Sequence, residues 1–476
     1  MFLRQITDPA LAQNAYLIGC QRTGEALVID PERDVDRYLE AARNNGLRLI
    51  AVADTHIHAD YLSGARELVE RHGARGYFSK EGGEDWQFEW AKGLDGVTML
   101  GDGDVFRIGN IGIKALLTPG HTPEHMSFLV TDTGGGASEP MAIASGDFLF
   151  VGDVGRPDLL ESAAGQAGLM EPSAKALYES LRGTAALPGF LQVLPAHGAG
   201  SACGKALGSV PTSVLDYERH NNAAFRQALE GGEGDFVKTI LEGQPEPPLY
   251  FARMKRDNRL GPPLLVGGMM PQPARIGAAD LDAWVGRPGR AILDLRTDRA
   301  AFMARHVKGA LFTPASGVHL SAAAGSYLAE GDEILLLLDD GAGLGLAVRQ
   351  MIRIGLDRVA AWMPVSEALS ADRHIGSIRR IPSADLAGEI SGHPGAAVLD
   401  VRGAGEFAAG HVVGAAHIAH TRLASGKNEI PEGRPLFVHC GSGMRASMAC
   451  AYLAHQGHDV VHVDGDFGDI AESLRQ

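Results

Sequence analysis

Two imidazoles and a carboxylate stand at alternate positions of Ala53–Leu62, ADTHIHADYL: His56, His58 and Asp60. Imidazole nitrogen and carboxylate oxygen are donors that hold a transition-metal ion. Three further stretches end on residues of the same kinds. Ile113–His121 closes on His121, with His125 just behind it; Met141–Asp147 closes on Asp147; Phe190–His197 closes on His197. Far along the chain a different chemistry is written. Cys440 is followed by Gly441, Ser442, Gly443, Met444 and Arg445. Backbone N–H groups of such a loop can turn inward as an anion nest at a helix N-terminus. A thiolate placed there is stabilised and nucleophilic, and Arg445 adds a positive charge.

Apolar strands must deliver these groups. Leu49–Ala53 runs straight into the histidine motif, and afterwards Leu62, Ala65, Leu68 and Val69 recur at helical spacing until Gly73, a C-cap residue. The motif therefore occupies a strand-to-helix turn. Donors arriving from the ends of several strands build a rigid site. Pro435–Cys440 reads as a strand, and Met448, Ala451 and Tyr452, with Cys450, as the apolar face of the helix behind it. His72, His220 and His374 read as hydrogen-bonded structural residues. Cys20, Cys203 and Cys450 read as structural thiols, with Cys203, six residues after His197, placed near the metal mouth as the alternative.

At roughly 150 residues per domain, 476 residues make about three domains. A hydrophobic fraction of 45% with 21% charged residues fits a globular protein with real cores. A net charge of −15 argues against nucleic acid or an anionic membrane as the main partner. Four scattered cysteines make neither a disulfide framework nor a zinc ribbon. The start of the chain has no signal-peptide pattern, and no stretch reads as a membrane span, so a reducing cytoplasm is the expected location. Residues 243–273 are dense in proline and glycine, show no helical or strand period, and read as an extended connector laid on the first domain by Tyr250, Phe251 and Met254. Beyond them the chain repeats itself. AILDLR (Ala291–Arg296) recurs as AVLDVR (Ala397–Arg402), and HVKGAL (His306–Leu311) as HVVGAA (His411–Ala416). The expected division is 1–242, the connector 243–273, and two α/β repeats at 274–374 and 375–476.

THIHAD, TPGHT, SGD and PAHG, in this order, resemble the metallo-β-lactamase superfamily. The resemblance implies a four-layer αββα sandwich with its metal at one edge of the packed sheets. Tyr61 stands where the usual pattern has another histidine, which points to one metal rather than two. Val154–Leu159, VGRPDL, resembles the persulfide dioxygenases. That likeness implies one Fe(II) per chain held by His56, His121 and Asp147, with His58, Asp60 and His197 behind the ligands or lining the channel, and His58 as an alternative ligand. Arg156 then either binds the carboxylate of a thiol carrier or bridges to Asp153 or Asp158.

The Cys440 loop, together with LDVR, EF and GHVVGAAHI upstream, resembles the rhodaneses; Arg402, Glu406 and His411 belong to the matched framework. Four residues separate Cys440 from Arg445, one fewer than in the related phosphatase loops, which favours sulfur over phosphate. In the earlier repeat Asp340 and Gly345 stand in for Cys440 and Arg445, so that copy is expected to be catalytically silent. Along nearly its full length the chain resembles bacterial persulfide dioxygenase–sulfurtransferase fusions: an αββα domain followed by two rhodanese-like parallel-sheet α/β domains. The family implies a low-molecular-weight thiol persulfide and dioxygen as substrates, sulfite and thiol as products, and a Cys440 persulfide that forms or uses thiosulfate, with Gly441, Ser442, Gly443 and Met444 binding substrate. Such fusions often self-associate into homo-oligomers. Two alternatives stand beside this reading: a zinc-dependent thioester hydrolase of the glyoxalase II type fused to a sulfurtransferase, and a non-catalytic sulfur carrier or sensor.

Overall fold

Side chains alternate along β2 (Gln13–Cys20). Ala15 and Leu17 join one buried cluster, and Tyr16, Ile18 and Cys20 join another. A strand apolar on both faces has to be covered on both. The computed structural model, which describes residues 1–162, 168–205 and 207–476, shows how this is done. Six strands form the first sheet in sequence order: β1 (Phe2–Asp8), β2, β3 (Glu25–Ile29), β4 (Arg48–Ala53), β5 (Arg75–Ser79) and β6 (Val97–Leu100). Six more form the second: β7 (Val105–Ile108), β8 (Ile111–Leu117), β9 (Met126–Asp132), β10 (Ala142–Gly146), β11 (Gln192–Pro195) and β12 (Ser213–Val214). Tyr16, Ile29 and Ala53 from one sheet meet Ile113, Phe128 and Ala144 from the other in the central core. The outer face of the first sheet packs on helices Asp36–Asn44 and Ala65–His72 through Tyr38, Ala42 and Leu68. That of the second packs on Met170–Thr184, Ala223–Glu230 and Glu233–Leu241 through Leu177, Phe225 and Phe236. The αββα sandwich expected from the motifs is therefore present.

Strand direction places the donors. β8 and β10 both run antiparallel to β9, and β11 runs parallel to β10, so all three end at the same edge of their sheet. The turns after them carry His121, Asp147 and His197.

The chain divides into two compact units, Met1–Met269 with Ile352–Gly355, and Met270–Met351 with Leu356–Gln476. The proline-rich segment falls largely in the first and is not wholly extended. It contains the helix Phe251–Leu260, held by buried Phe251 and Met254. The expectation of an irregular connector is corrected there: the helix is short, and flanking prolines and glycines mask it.

The second unit holds two five-stranded sheets of the same parallel order. One runs Ala274–Arg275, Val359–Pro364, Glu333–Leu338, Arg290–Asp294, Leu311–Phe312; the other runs Arg379–Pro382, Val460–Asp464, Leu436–His439, Ala397–Asp400, Ala416–His417. The sequence repeat is thus a repeat of topology. No helix among the described residues is long and apolar enough to cross a membrane.

Candidate metal centre and sulfur-transfer loop

After β4 the chain turns over Asp30, whose carboxylate takes the backbone N–H of Thr55 at 2.7 Å and the Thr55 hydroxyl at 2.9 Å. Asp30 itself holds φ 54°, a left-handed backbone that an L residue keeps only when its surroundings fix it. With its proton committed to Asp30, the Thr55 oxygen accepts from His56 Nδ1 at 3.0 Å. His121 Nδ1 donates to the carbonyl of Arg156 at 3.1 Å. Each imidazole is thereby left with a bare Nε2, the tautomer a metal ligand requires. Asp147 Oδ1 receives His197 Nδ1 at 2.7 Å. Its Oδ2 is buried without a hydrogen-bond partner, 3.4 Å from His121 Nε2 and 3.9 Å from His56 Nε2. Two ligands each about 2.1 Å from one ion stand at such separations. An orphaned buried carboxylate oxygen facing two imidazole nitrogens fits a divalent transition ion.

Burial, then neighbouring His58, drives the pKa of His56 well down, and burial also lowers His121. Burial would raise Asp147, but His197 holds it well below the usual carboxylate range. His197 is pushed well up against its own burial by Asp147, and its Nε2 meets Asp60 Oδ2 at 2.8 Å. It clamps both carboxylates. Cys203 lies with Asp60 and His197, all three buried and their donor atoms within 4.8 Å of one another, and burial raises its thiol to about 12.

His58 stands outside the trio. Its Nε2 lies 3.2 Å from Asp30 Oδ1 and 3.0 Å from the Tyr61 hydroxyl, and Asp30 overcomes burial to raise its pKa to about 9. Tyr61 turns its phenol to His58 and the Asp30 carbonyl, beside Gln13.

Of the two roles expected for Arg156, the bridge to Asp158 is present and the substrate-binding one is corrected. The side chain is 1% exposed, forked on Asp158 at 2.8 and 2.7 Å, and bonded to the carbonyls of Ala202 and Pro245. Every arm is engaged inside the protein, so it does not reach a substrate carboxylate; its own carbonyl orients His121. Gly155 beside it has no room for a side chain, since a Cβ would lie 1.7 Å from the Asp147 carbonyl oxygen.

The sequence reading misses Asp30 and Asn258. Asp30 closes the apolar strand β3, the signature used for the other donors. Asn258 Nδ2 donates to the carbonyls of His58 and Tyr61 at 2.8 and 2.7 Å, and its Oδ1 accepts from Ser63 N–H at 2.8 Å. No local signal marks it, because its partners lie about 200 residues away in the chain.

In the second unit Cys440 follows the strand Leu436–His439 and precedes the helix Met444–His455. Gly443, at φ 89°, donates its N–H to Cys440 Sγ at 3.1 Å. Cys440 is 2% exposed. Gly441 and Ser442 complete the turn, and Met444 opens the helix. Arg445 forks onto Glu406 at 2.5 and 2.7 Å, so much of the charge assigned to it is matched by a carboxylate. Arg402 forks onto Asp400, and His411 Nδ1 donates to the Phe407 carbonyl. Cys450 is buried in the helix, which drives its thiol well up. In the earlier repeat, counting back from the helix Leu344–Arg353 places Asp340 opposite Cys440. Counting along the strands instead pairs Leu337 with Asp294 as His439 pairs with Asp400, so this loop is two residues longer. Asp340 Oδ1 accepts the Ala342 N–H at 2.8 Å, filling its own nest.

Residues 8–197 match the metallo-beta-lactamase superfamily and residues 383–473 the rhodanese-like domain. The mitochondrial persulfide dioxygenase ETHE1 of Bos taurus is 30% identical over 203 residues, 41% of this chain and 68% of its own. A hydroxyacylglutathione hydrolase of Nitrosococcus oceani is 33% identical over 160 residues, 32% of this chain and 52% of its own. Among solved structures, a metallo-beta-lactamase from Staphylococcus aureus subsp. aureus COL is 37% identical with a TM-score of 0.66 over 76% of this chain and 99% of its own.

Proposed function

Because the chain belongs to the metallo-β-lactamase superfamily, among its persulfide dioxygenases, and carries a rhodanese-like domain near its C-terminal end, we propose that it oxidises low-molecular-weight thiol persulfides to sulfite and couples this to sulfur transfer through Cys440. The observation that carries the reading is the unpartnered Asp147 Oδ2 facing His56 Nε2 and His121 Nε2. Two histidines and a carboxylate are the donor set of non-haem Fe(II) oxygenases, and one Fe(II) per chain is the cofactor we assign. Iron bound there supplies the redox chemistry that lets dioxygen react with sulfur. The chain's own residues do the rest. Thr55 and the Arg156 carbonyl fix the ligand tautomers, and His197 holds Asp147 in place while its ring occupies the space between Asp60 and Asp147. With Tyr61 turned away, this arrangement favours one metal over the two of thioester hydrolysis.

One persulfide, one dioxygen and one water yield one thiol, one sulfite and two protons. In the second unit Cys440 carries a sulfane sulfur, with the Gly443 N–H holding negative charge on its sulfur, and transfer of that sulfur to sulfite gives thiosulfate. Residues 274–374 are assigned as the silent repeat, 375–476 as the active one, and 243–273 as connector. The free thiols Cys20, Cys203, Cys440 and Cys450 support a reducing, cytoplasmic location.

Anaerobic purification, metal analysis and oxygen-electrode traces with glutathione persulfide and coenzyme A persulfide test the reading. About one iron per chain with persulfide-dependent oxygen uptake is expected; zinc with thioester cleavage and no oxygen uptake would overturn it. Cys440→Ser should abolish thiosulfate formation and leave sulfite production intact. Loss of oxygen uptake in that variant would refute two separable sites.

A further inference from the structure

The Cys440 loop is held from behind by a side chain of the silent repeat. Arg299 opens the helix Arg299–Ala304, and both it and Cys440 lie in the second compact unit. Its Nε donates to Asp464 Oδ1 at 2.8 Å and its Nη2 to the Ser442 carbonyl at 3.2 Å. The Ser442 carbonyl and the Gly443 N–H belong to one planar peptide group, and that N–H donates to Cys440 Sγ at 3.1 Å. A single line of hydrogen bonds therefore runs from guanidinium to carbonyl, through the peptide, to sulfur. A cation on the oxygen side draws electrons toward it and strengthens the N–H as a donor.

The rest of the loop is pinned to suit. Asp464 also receives Arg380 Nη1 at 2.7 Å, and its Oδ1 fills the space on the bare face of Gly443, where a Cβ would come within 2.2 Å of it. His462 Nε2 donates to the Gly443 carbonyl at 2.9 Å. The silent repeat grips the following helix too: Tyr327 stacks on Tyr452 with ring centroids 4.5 Å apart, and His455 Nδ1 donates to the Gly309 carbonyl at 2.8 Å.

We propose that Arg299 is a positioning residue for sulfur transfer at Cys440, orienting and polarising the Ser442–Gly443 peptide whose N–H faces the sulfur. The inference rests on the sulfur-transfer reading of Cys440. It gives the silent repeat a task, to bring a second guanidinium to the loop beside Arg380, the two sharing the single carboxylate of Asp464 while Arg445 is matched one to one by Glu406. Arg445 and Cys450 also lie in the electrostatic field of Cys440, and both stay in place in every variant below.

The test uses the full chain carrying Arg299→Ala, Arg299→Lys or Tyr327→Ala. Alkylation of Cys440 by iodoacetamide is followed by mass spectrometry across pH, alongside kcat and KM for sulfur transfer from thiosulfate to cyanide. Arg299→Ala should move the alkylation midpoint up by about one pH unit and lower kcat about tenfold, with KM within about twofold. Arg299→Lys should recover part of both, and Tyr327→Ala, which removes only a grip on the helix, should leave the midpoint unchanged. A midpoint moved by less than about 0.3 pH units with kcat within twofold of the parent in Arg299→Ala, or an equal shift in Tyr327→Ala, would overturn the proposal. Should Arg299→Ala fail to fold, Arg299→Gln carries the same readouts. Cys440→Ser separates the two claims: sulfur transfer that survives it removes the sulfur-transfer reading, while the alkylation profile still judges Arg299.

Discussion

Beside Arg445 lies His420, whose pKa is pushed down to about 3, first by burial and then by that guanidinium. An unfolded histidine titrates near 6.5. Below that value the unfolded chain takes a proton that the folded chain refuses, so stability falls as pH drops from about 6.5 toward 3. The loss should reach about 1–2 kcal/mol at pH 5. His420→Gln should remove this dependence, read as a smaller difference between urea unfolding at pH 7 and pH 5 than in the parent. Residues of the metal centre are legible where an apolar strand stops on them, as with His121 and Asp147. For Arg156 the bridge to Asp158 is legible as one of two directions, but the choice between them is not. That choice rests also on the carbonyls of Ala202 and Pro245, which only the folded chain brings to it.

Among the elements, the helix Phe251–Leu260 shows what periodicity conceals. Its buried residues are Phe251, Met254 and Asn258, a helical stripe whose last member is polar. An apolar pattern broken by asparagine and bounded by proline and glycine carries no readable period. Yet that asparagine satisfies two carbonyls and an N–H of the turn that bears His56 and His58. Asn258→Ala should leave these buried groups unpaired, costing about 1–3 kcal/mol of stability. It should also weaken metal binding by about 10–100-fold, measured by competition with a chelator. Unchanged metal affinity would show that the turn holds its shape without the helix.

At the scale of the whole molecule, net charge should act on the approach of an anionic substrate. The chain carries −15, and thiosulfate is a dianion. Raising salt from about 10 to 150 mM shortens the screening length from about 30 to 8 Å. Long-range repulsion should fade, so kcat/KM for thiosulfate should rise about twofold or more, while an aminoalkyl persulfide, whose ammonium balances its perthiolate, should show no such gain at the metal site. A fall with salt would mean that local cations, not net charge, govern entry. At this scale the repeat is legible because LDLR and LDVR, with the segments after them, keep their order, and the two sheets share one strand order. Compactness is not legible: both copies fall within one unit, since a repeat records likeness between stretches of chain and not the packing that joins them.

The longer loop around Asp340 limits what one substitution there can do. Its nest is already occupied by its own carboxylate, and its strand and helix are spaced two residues further apart than those flanking Cys440. Asp340→Cys should place a thiol on a scaffold two residues longer than the one around Cys440, so that substitution alone should not give this loop sulfur transfer from thiosulfate to cyanide.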